Sequence, residues 1–439
     1  MKANIFVLAI LLATGCAKET PEQQNAVSNY PPATPGDYVI EMKDAFAIPI
    51  IKRQLVTLAD KQSARDTVFA QIKSYCAQRS INVGDSLFFT DLGVGFAATL
   101  TSAQLGGLIA DSANVAAVIP DFTVRLVDPA EQRDPVVQKR DPIQQSEWDL
   151  KLKTPGVFNT CAIEKAGGSV NSSTKTTKIF ILDTGVDDHE SIVLSRDSSR
   201  RYIDTECEFR KWRDFNGHGT VVAGIAASKE VTYRQEPPLP TKIVKISVGV
   251  SAGACVVSYK VLDSLGHGKW RFLRKALDDV AAFGRAGDVV NMSLGAYCPG
   301  CSDLRAVLES KITLLTSTGI FVVMAAGNDS GDANLTLPGS INGPNLFTVA
   351  SIDCDDACSF YSNYGSSVDW LAVGTKVFST YRKRRFLVLS GTSMSTAVVT
   401  GIIHARGGPP VKLPSGSKTC NGGTYSIARR CATPGQCPP

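Results

Sequence analysis

Four apolar runs separated by helical periodicity constrain this chain more than any other feature of it. Lys178-Ile179-Phe180-Ile181-Leu182, 256–261, 289–294 and 320–325 lack the strict apolar–polar alternation of a half-solvated strand. Strands of that kind are buried on both faces, as in a parallel sheet covered by helices. Helical patterns over 217–227, 269–283 and 302–316 supply the cover. The expectation is an α/β domain over 148–408, with its chemistry at the C-terminal ends of the strands.

Residues 37–127 read as a separate, smaller unit. A strand over 37–43 sets Tyr38, Ile40 and Met42 on one face, and an amphipathic helix follows over 62–78. Strands over 83–90, 95–100, 115–119 and 122–127 are expected, with a second helix opened by the capping-box pattern Thr101-Ser102-Ala103-Gln104. Two helices against about four strands predict a ferredoxin-like α+β sandwich. The flanking stretches 18–36 and 128–147 are polar and rich in proline, and read as linkers. The second contains the dibasic Lys139-Arg140 and is exposed to cleavage. Residues 409–439 are Cys/Gly/Pro-rich without a periodic element, so disulfides would have to hold them.

Residues 1–17 carry the marks of an export signal: Lys2, an apolar run from Ile5 to Ala13, then small residues. That run is too short to span a bilayer. Gly15-Cys16-Ala17 fits a signal-peptidase site. Leu12 to Cys16 also resembles a lipobox, with Ala13 where leucine is usual, which would place a lipid on Cys16 and hold the protein at the cell surface. Cysteine usage agrees with export. Of the 12 cysteines, those at 161, 207, 255, 298, 301, 354, 358, 420, 431 and 437 form an even set once Cys16 and Cys76 are set aside. With only 4 histidines in the chain, no nearby His completes a metal site around Cys298-Pro-Gly-Cys301, and disulfides are favoured. A net charge of +5 is spread without a basic stripe, which argues against a nucleic-acid partner. The one basic cluster, Arg382-Lys383-Arg384-Arg385, reads as a solvated turn.

Three residues stand where nucleophilic catalysis could use them. Asp183 follows the strand 178–182 directly, as a carboxylate suited to a histidine ring N–H. His218 lies between Gly217 and Gly219 at a helix start, where missing side chains allow close approach. Ser393 opens the apolar helical run Met394, Ala397, Val398, Val399, Ile402, Ile403, where unpaired N–H groups favour developing negative charge. Each alone could be a cap or turn residue; the three together point to an Asp–His–Ser arrangement.

Asp183-Thr-Gly, Asn216-Gly-His-Gly-Thr220-Val-Val-Ala-Gly224 and Gly391-Thr-Ser-Met394 resemble the three signatures of subtilisin-like serine proteases, nearest the proteinase K-like branch. Val261-Leu-Asp, Asn291-Met-Ser-Leu-Gly295, Ala325-Ala-Gly-Asn328 and Phe360-Tyr-Ser-Asn-Tyr-Gly365 follow in the family's order. The resemblance implies a secreted endopeptidase made as a self-processing zymogen. Ser393 is the implied nucleophile, His218 the base and Asp183 its orienter, with the Asn328 amide in the oxyanion hole. It further implies that Gly266-His267-Gly268 and Ser293-Leu294-Gly295 are strand edges pairing with substrate, and that Ala325-Ala326-Gly327 lines the specificity pocket. His189 and His404 read as structural.

Residues 37–127 resemble the family's inhibitory propeptide at Gly95-Phe-Ala-Ala-Thr-Leu-Thr-Ser and Val118-Ile-Pro-Asp121. The implied partners are therefore protein or peptide substrates and the chain's own propeptide, on a monomer. No cofactor is needed for the chemistry, although the family's structural calcium has a loose match at Asp353 with carbonyls near Pro338. Three residues depart from the pattern: Ala397 and Val373 replace expected prolines, and a closing C-terminal helix is missing.

Overall fold

The computed structural model describes residues 35–53, 55, 57–84, 87–126, 150–154, 157–203, 211–234, 243–412 and 416–431. The export signal with Cys16, residues 18–34 of the first linker, the 128–147 linker, Cys207 and Cys437 lie outside them.

The N-terminal unit comprises β1 (Gly36–Met42), α1 (Leu58–Ala77), β2 (Phe88–Phe89), β3 (Gly95–Leu100), α2 (Ser102–Ala110) and β4 (Val115–Pro120). Its antiparallel sheet runs β2-β3-β1-β4. Strand alternation divides β1 between two cores. Tyr38, Ile40 and Met42 pack under the helices with Ile72, Phe96 and Leu105, whereas Val39 joins Phe89, Ala97 and Ile119 against the large domain. Thr57 caps α1 in a box with Asp60, which starts the helix at Leu58 rather than 62. Thr101 and Gln104 form the expected box on α2.

Two expectations for this unit change. Among the described residues of the strand expected over 83–90, only Phe88–Phe89 is strand, and it ends at Phe89 because the backbone N–H groups of Thr90, Asp91 and Leu92 are taken by Asp278 of the large domain, each at 2.9 Å. The last strand, β5 (Thr123–Leu126), does not close the small sheet; it crosses into the large domain.

The large domain adds β6 (Lys178–Asp183), α3 (His218–Ala227), β7 (Cys255–Lys260), β8 (His267–Lys269), α4 (Trp270–Phe283), β9 (Val289–Met292), β10 (Leu294–Tyr297), α5 (Ser302–Thr316), β11 (Phe321–Ala325), β12 (Leu346–Ile352), β13 (Trp370–Val373), β14 (Val377–Tyr381), β15 (Arg385–Leu389), α6 (Thr392–Arg406), β16 (Ser417–Cys420) and β17 (Gly423–Ile427). The main sheet runs β7-β6-β9-β11-β12-β13-β17-β16, extended beyond β7 by short strands. Every described pairing in it is parallel except that of β16 with β17. Both faces are buried. Ile179 and Ile181 face the layer holding α3 and α6, while Phe180 and Leu182 face α4 and α5.

The C-terminal segment also departs from expectation. Its last described part is a hairpin, β16–β17, joined to β13 and tied down by the Cys358–Cys420 disulfide. Cys161–Cys354 and Cys298–Cys301 are likewise bonded, and Cys431 is in a disulfide. Cys255, expected to pair, is a free thiol, as is Cys76. Ala397 leaves α6 continuous and is fully buried. Among the described residues no helix is long and apolar enough to cross a membrane.

Candidate active site

Asp183 is the last residue of β6 and is completely buried. Its Oδ1 and Oδ2 accept from His218 Nδ1 at 2.9 and 3.0 Å. A carboxylate can only accept, so the ring proton sits on Nδ1 and Nε2 keeps its lone pair. The glycines beside His218 act as the sequence suggests. A Cβ on Gly219 would lie 2.0 Å from the Gly185 carbonyl and 3.1 Å from Asp183 Oδ1, so the pair closes only with glycine there. Gly217 has φ 113° and lies beneath the Tyr381 ring.

Ser393 is the second residue of α6, behind Gly391 at φ 152°, and is completely buried. Its Oγ lies 3.4 Å from the Ser293 carbonyl, and Ser293 Oγ donates to the Ser393 carbonyl at 3.1 Å. Asn291 bridges Ser293 and Thr400, fastening α6 to the end of β9. Asn328 follows β11, and its Oδ1 accepts from Thr392 N at 2.9 Å, which turns Nδ2 to the opposite side. Ala325, Ala326 and Gly327 lead into it, the two alanines fully buried.

The candidate substrate edges are occupied by the chain itself. β5 lies between β8 and β10, antiparallel to both. Val124 faces Gly268, Arg125 lies opposite both His267 and Gly295, and Leu126 opposite Leu294. Leu126 N donates to the Gly266 carbonyl at 2.9 Å. Bare glycine edges make room: a Cβ on Gly266 would meet the Leu126 side chain at 2.6 Å. His267 is exposed, and its backbone N–H bonds Asp263.

Two positioning residues escape a reading of the sequence. Asp214 is buried and accepts from Thr184 Oγ1, Asn216 N, Gly217 N, Thr220 N and Thr220 Oγ1, between 2.6 and 3.0 Å. Burial pushes its carboxyl above the usual range, although Thr220, Gly217 and Lys260 oppose the shift. The signal was an Asp two residues ahead of Asn-Gly, a common turn pattern. Asn363 donates to the Ala326 carbonyl at 3.1 Å and accepts from Asp329 and Gly331 N–H, both at 2.9 Å, shaping the loop that presents Asn328.

The remaining histidines are buried in polar contacts: His189 with Ser191, His404 with Ser251 and Thr177. Asp353 Oδ1 accepts from the N–H groups of Asp355 and Ala357, as a turn residue does. Among the described residues no cluster of three His, Cys, Asp or Glu could hold a metal.

A family model described as the subtilase family matches residues 174–405. Among curated relatives, an alkaline serine protease (ver112) of Corniculantispora psalliotae is 34% identical over 230 residues, covering 51% of this chain and 52% of that one. Proteinase T of Parengyodontium album is 33% identical over 232 residues, covering 52% and 69%. The alignment spans about half the length of the first of these. A solved structure of a cold-adapted subtilisin-like serine proteinase is 29% identical, covers 54% of this chain and 77% of its own, and has a TM-score of 0.44.

Proposed function

The chain belongs to the subtilase family, and on that footing we propose that it is an exported serine endopeptidase, made as a precursor that cuts itself. The observation that carries this is β5, a strand of the chain seated as a substrate would be between two edges beside the Asp183–His218 pair and Ser393. Ser393 Oγ attacks a peptide carbonyl while His218 Nε2 takes its proton and later returns it to the leaving amine. Asp183 keeps the ring proton on Nδ1 and balances the imidazolium. The tetrahedral oxyanion is met by Asn328 Nδ2 and the backbone N–H of Ser393 at the start of α6. The acyl-enzyme is then hydrolysed by water along the same proton path.

The N-terminal unit is the intramolecular inhibitor. Leu126, the last described residue of β5, lies opposite Leu294, and the next residue of that edge, Ser293, has its carbonyl beside Ser393 Oγ. Cleavage is therefore expected after Val127, giving a mature chain that begins at Asp128. Three disulfides between described cysteines support an oxidising compartment outside the cytoplasm. A fluorophosphonate probe should label the protein at Ser393 once it has cut itself and released the N-terminal unit, and Ser393→Ala should both lose the label and accumulate as uncut precursor. Labelling that survives Ser393→Ala would overturn the assignment; N-terminal sequencing of the active form locates the cut.

A further inference from the structure

We propose that the basic turn at 382–385 selects acidic residues on the leaving-group side of the scissile bond, an inference that rests on the protease reading above. The turn joins β14 to β15, whose pairing brings Tyr381 opposite Arg385. The hairpin is fixed to the histidine helix. Ser379 Oγ donates to the Val221 carbonyl at 2.8 Å, Thr380 Oγ1 to the Thr220 carbonyl at 2.9 Å and Tyr381 OH to the Asn216 carbonyl at 3.1 Å. Because the Tyr381 ring covers Gly217, the turn is anchored one residue from His218. With the acyl side of a bound peptide assigned to the edges β8 and β10, the Tyr381 wall, which covers Gly217 beside His218, is assigned to the leaving side.

The turn is unusually cationic for its position and conformation. Lys383 and Arg384 have φ of 59° and 57°, the left-handed region where Gly or Asn is easier. Lys383, Arg384 and Arg385 are exposed. Arg382 donates to the Phe215 carbonyl, and the Arg385 guanidinium lies 5.4 Å over the Tyr381 ring. Three carboxylates lie near. Asp187 accepts from the Lys383 backbone N–H, Asp188 pairs with Arg196, and Glu190 adjoins His189. Among the described residues none of the four side-chain cations at 382–385 makes an ion pair with any of them. The chain's own sequence complements this surface: past Leu126 it reads Val127-Asp128-Pro129-Ala130-Glu131, placing acids at the first and fourth leaving-side positions of a cut after Val127.

The test uses the mature enzyme with quenched fluorogenic peptides that differ only in charge at the first and fourth leaving-side positions, beside a peptide anilide with no leaving-side residues. Exposed ion pairs change affinity roughly 1.4- to fivefold each, and a like-charge pair opposes by a similar factor. The acidic peptides should therefore exceed the basic ones roughly three- to tenfold in kcat/KM, and the ratio should approach one at about 0.5 M salt. Arg384→Ala/Arg385→Ala should erase the ratio, Arg384→Glu/Arg385→Glu should reverse it, and Arg385→Lys should preserve it. Wild-type enzyme that cleaves the anilide yet ignores leaving-side charge would overturn this inference alone. A ratio unchanged in the double variants, with an unchanged melting temperature, would also overturn it. Failure to cleave the anilide would overturn the protease reading and this one with it.

Discussion

The N-terminal unit meets the large domain through two contacts that differ in kind. Along the cleft, β5 is held by backbone pairing on both edges and by Val124, which is buried with Leu262 and Leu294. Under β1 and β2 a buried ionic cluster is set into the apolar contact made by Val39, Phe89 and Ile119. Arg274 Nε donates to Glu41 at 2.8 Å, Lys311 meets the other Glu41 oxygen at 3.0 Å, and Asp278 receives three backbone N–H groups. The first contact is nearly blind to side-chain identity, as a peptide-binding edge must be. The second is specific to this pair of surfaces, so it distinguishes this unit from any other chain that could pair with the same edges.

The largest expected effect separates both contacts from the chemistry. Asn328→Ala should lower kcat by about 10²–10³ while KM and the association of residues 37–126 stay nearly unchanged. An unaltered kcat would remove Asn328 from the oxyanion hole.

Next in size comes the ionic contact. Arg274→Ala leaves Glu41 and Asp278 buried without their guanidinium, and should cost about 3–5 kcal/mol in the denaturant stability of the uncut Ser393→Ala precursor. Val124→Ala removes two methyl groups from the cleft contact and should cost only about 1–2 kcal/mol in the same assay. Equal losses would erase the distinction between the two regions.

Acidity should act chiefly on the ionic contact, while Asp37, held low, and Asp121, raised by burial, both paired with Arg271 near β5, oppose one another. Burial by itself would raise Glu41, but Arg274 and Lys311 outweigh it and hold its carboxyl below the ordinary 4.5. A depressed carboxylate contributes fully above that value and loses its contribution as pH falls through the lower one. Asp278 is held low in the same sense by Arg274 and Lys275 against its burial, whereas burial raises Asp91 and works the other way. Release of the cleaved unit should thus accelerate below about pH 4.5. Val124→Ala should keep that dependence and Glu41→Gln should flatten it, as followed by gel filtration across pH. The smallest effect lies in the large domain itself. Burial depresses His404 below 6.5, so its share of stability is present above that pH and lost as pH drops; His404→Asn should weaken this part of the thermal profile.

The sequence made the large sheet legible because its strands are apolar on both faces and the segments between them keep a helical periodicity. Asp183, His218, Ser393 and Asn328 were visible for a related reason: each sits at a strand end or helix start that the pattern already marks. What stayed hidden depends on partners distant in sequence. The end of β2 at Phe89 required knowing that Asp278, nearly two hundred residues away, would take the next N–H groups. The departure of β5 could not be seen because its alternation fits either sheet equally well. The hairpin β16–β17 is polar on its exposed face and too short to announce itself, and its place is fixed by Cys358–Cys420. Asp214 and Asn363 act mostly by gathering backbone N–H groups that only the fold brings together, so no more than a turn pattern ahead of Asn216-Gly217 marked the first of them.

That hairpin bears on how the large domain withstands a cut in its own chain. Asn421 and Gly422, at φ 47° and 83°, form the tight turn between the two strands. A cut at that turn would set neither half adrift. The stretch before it is covalently fastened through Cys420, while the stretch after it is hydrogen-bonded beside β13 and secured by Tyr425 OH, which accepts from Gly365 N at 2.9 Å. The rim of the main sheet would stay sealed after the damage, and the edge of β13 would not be offered to other chains as a template for aggregation.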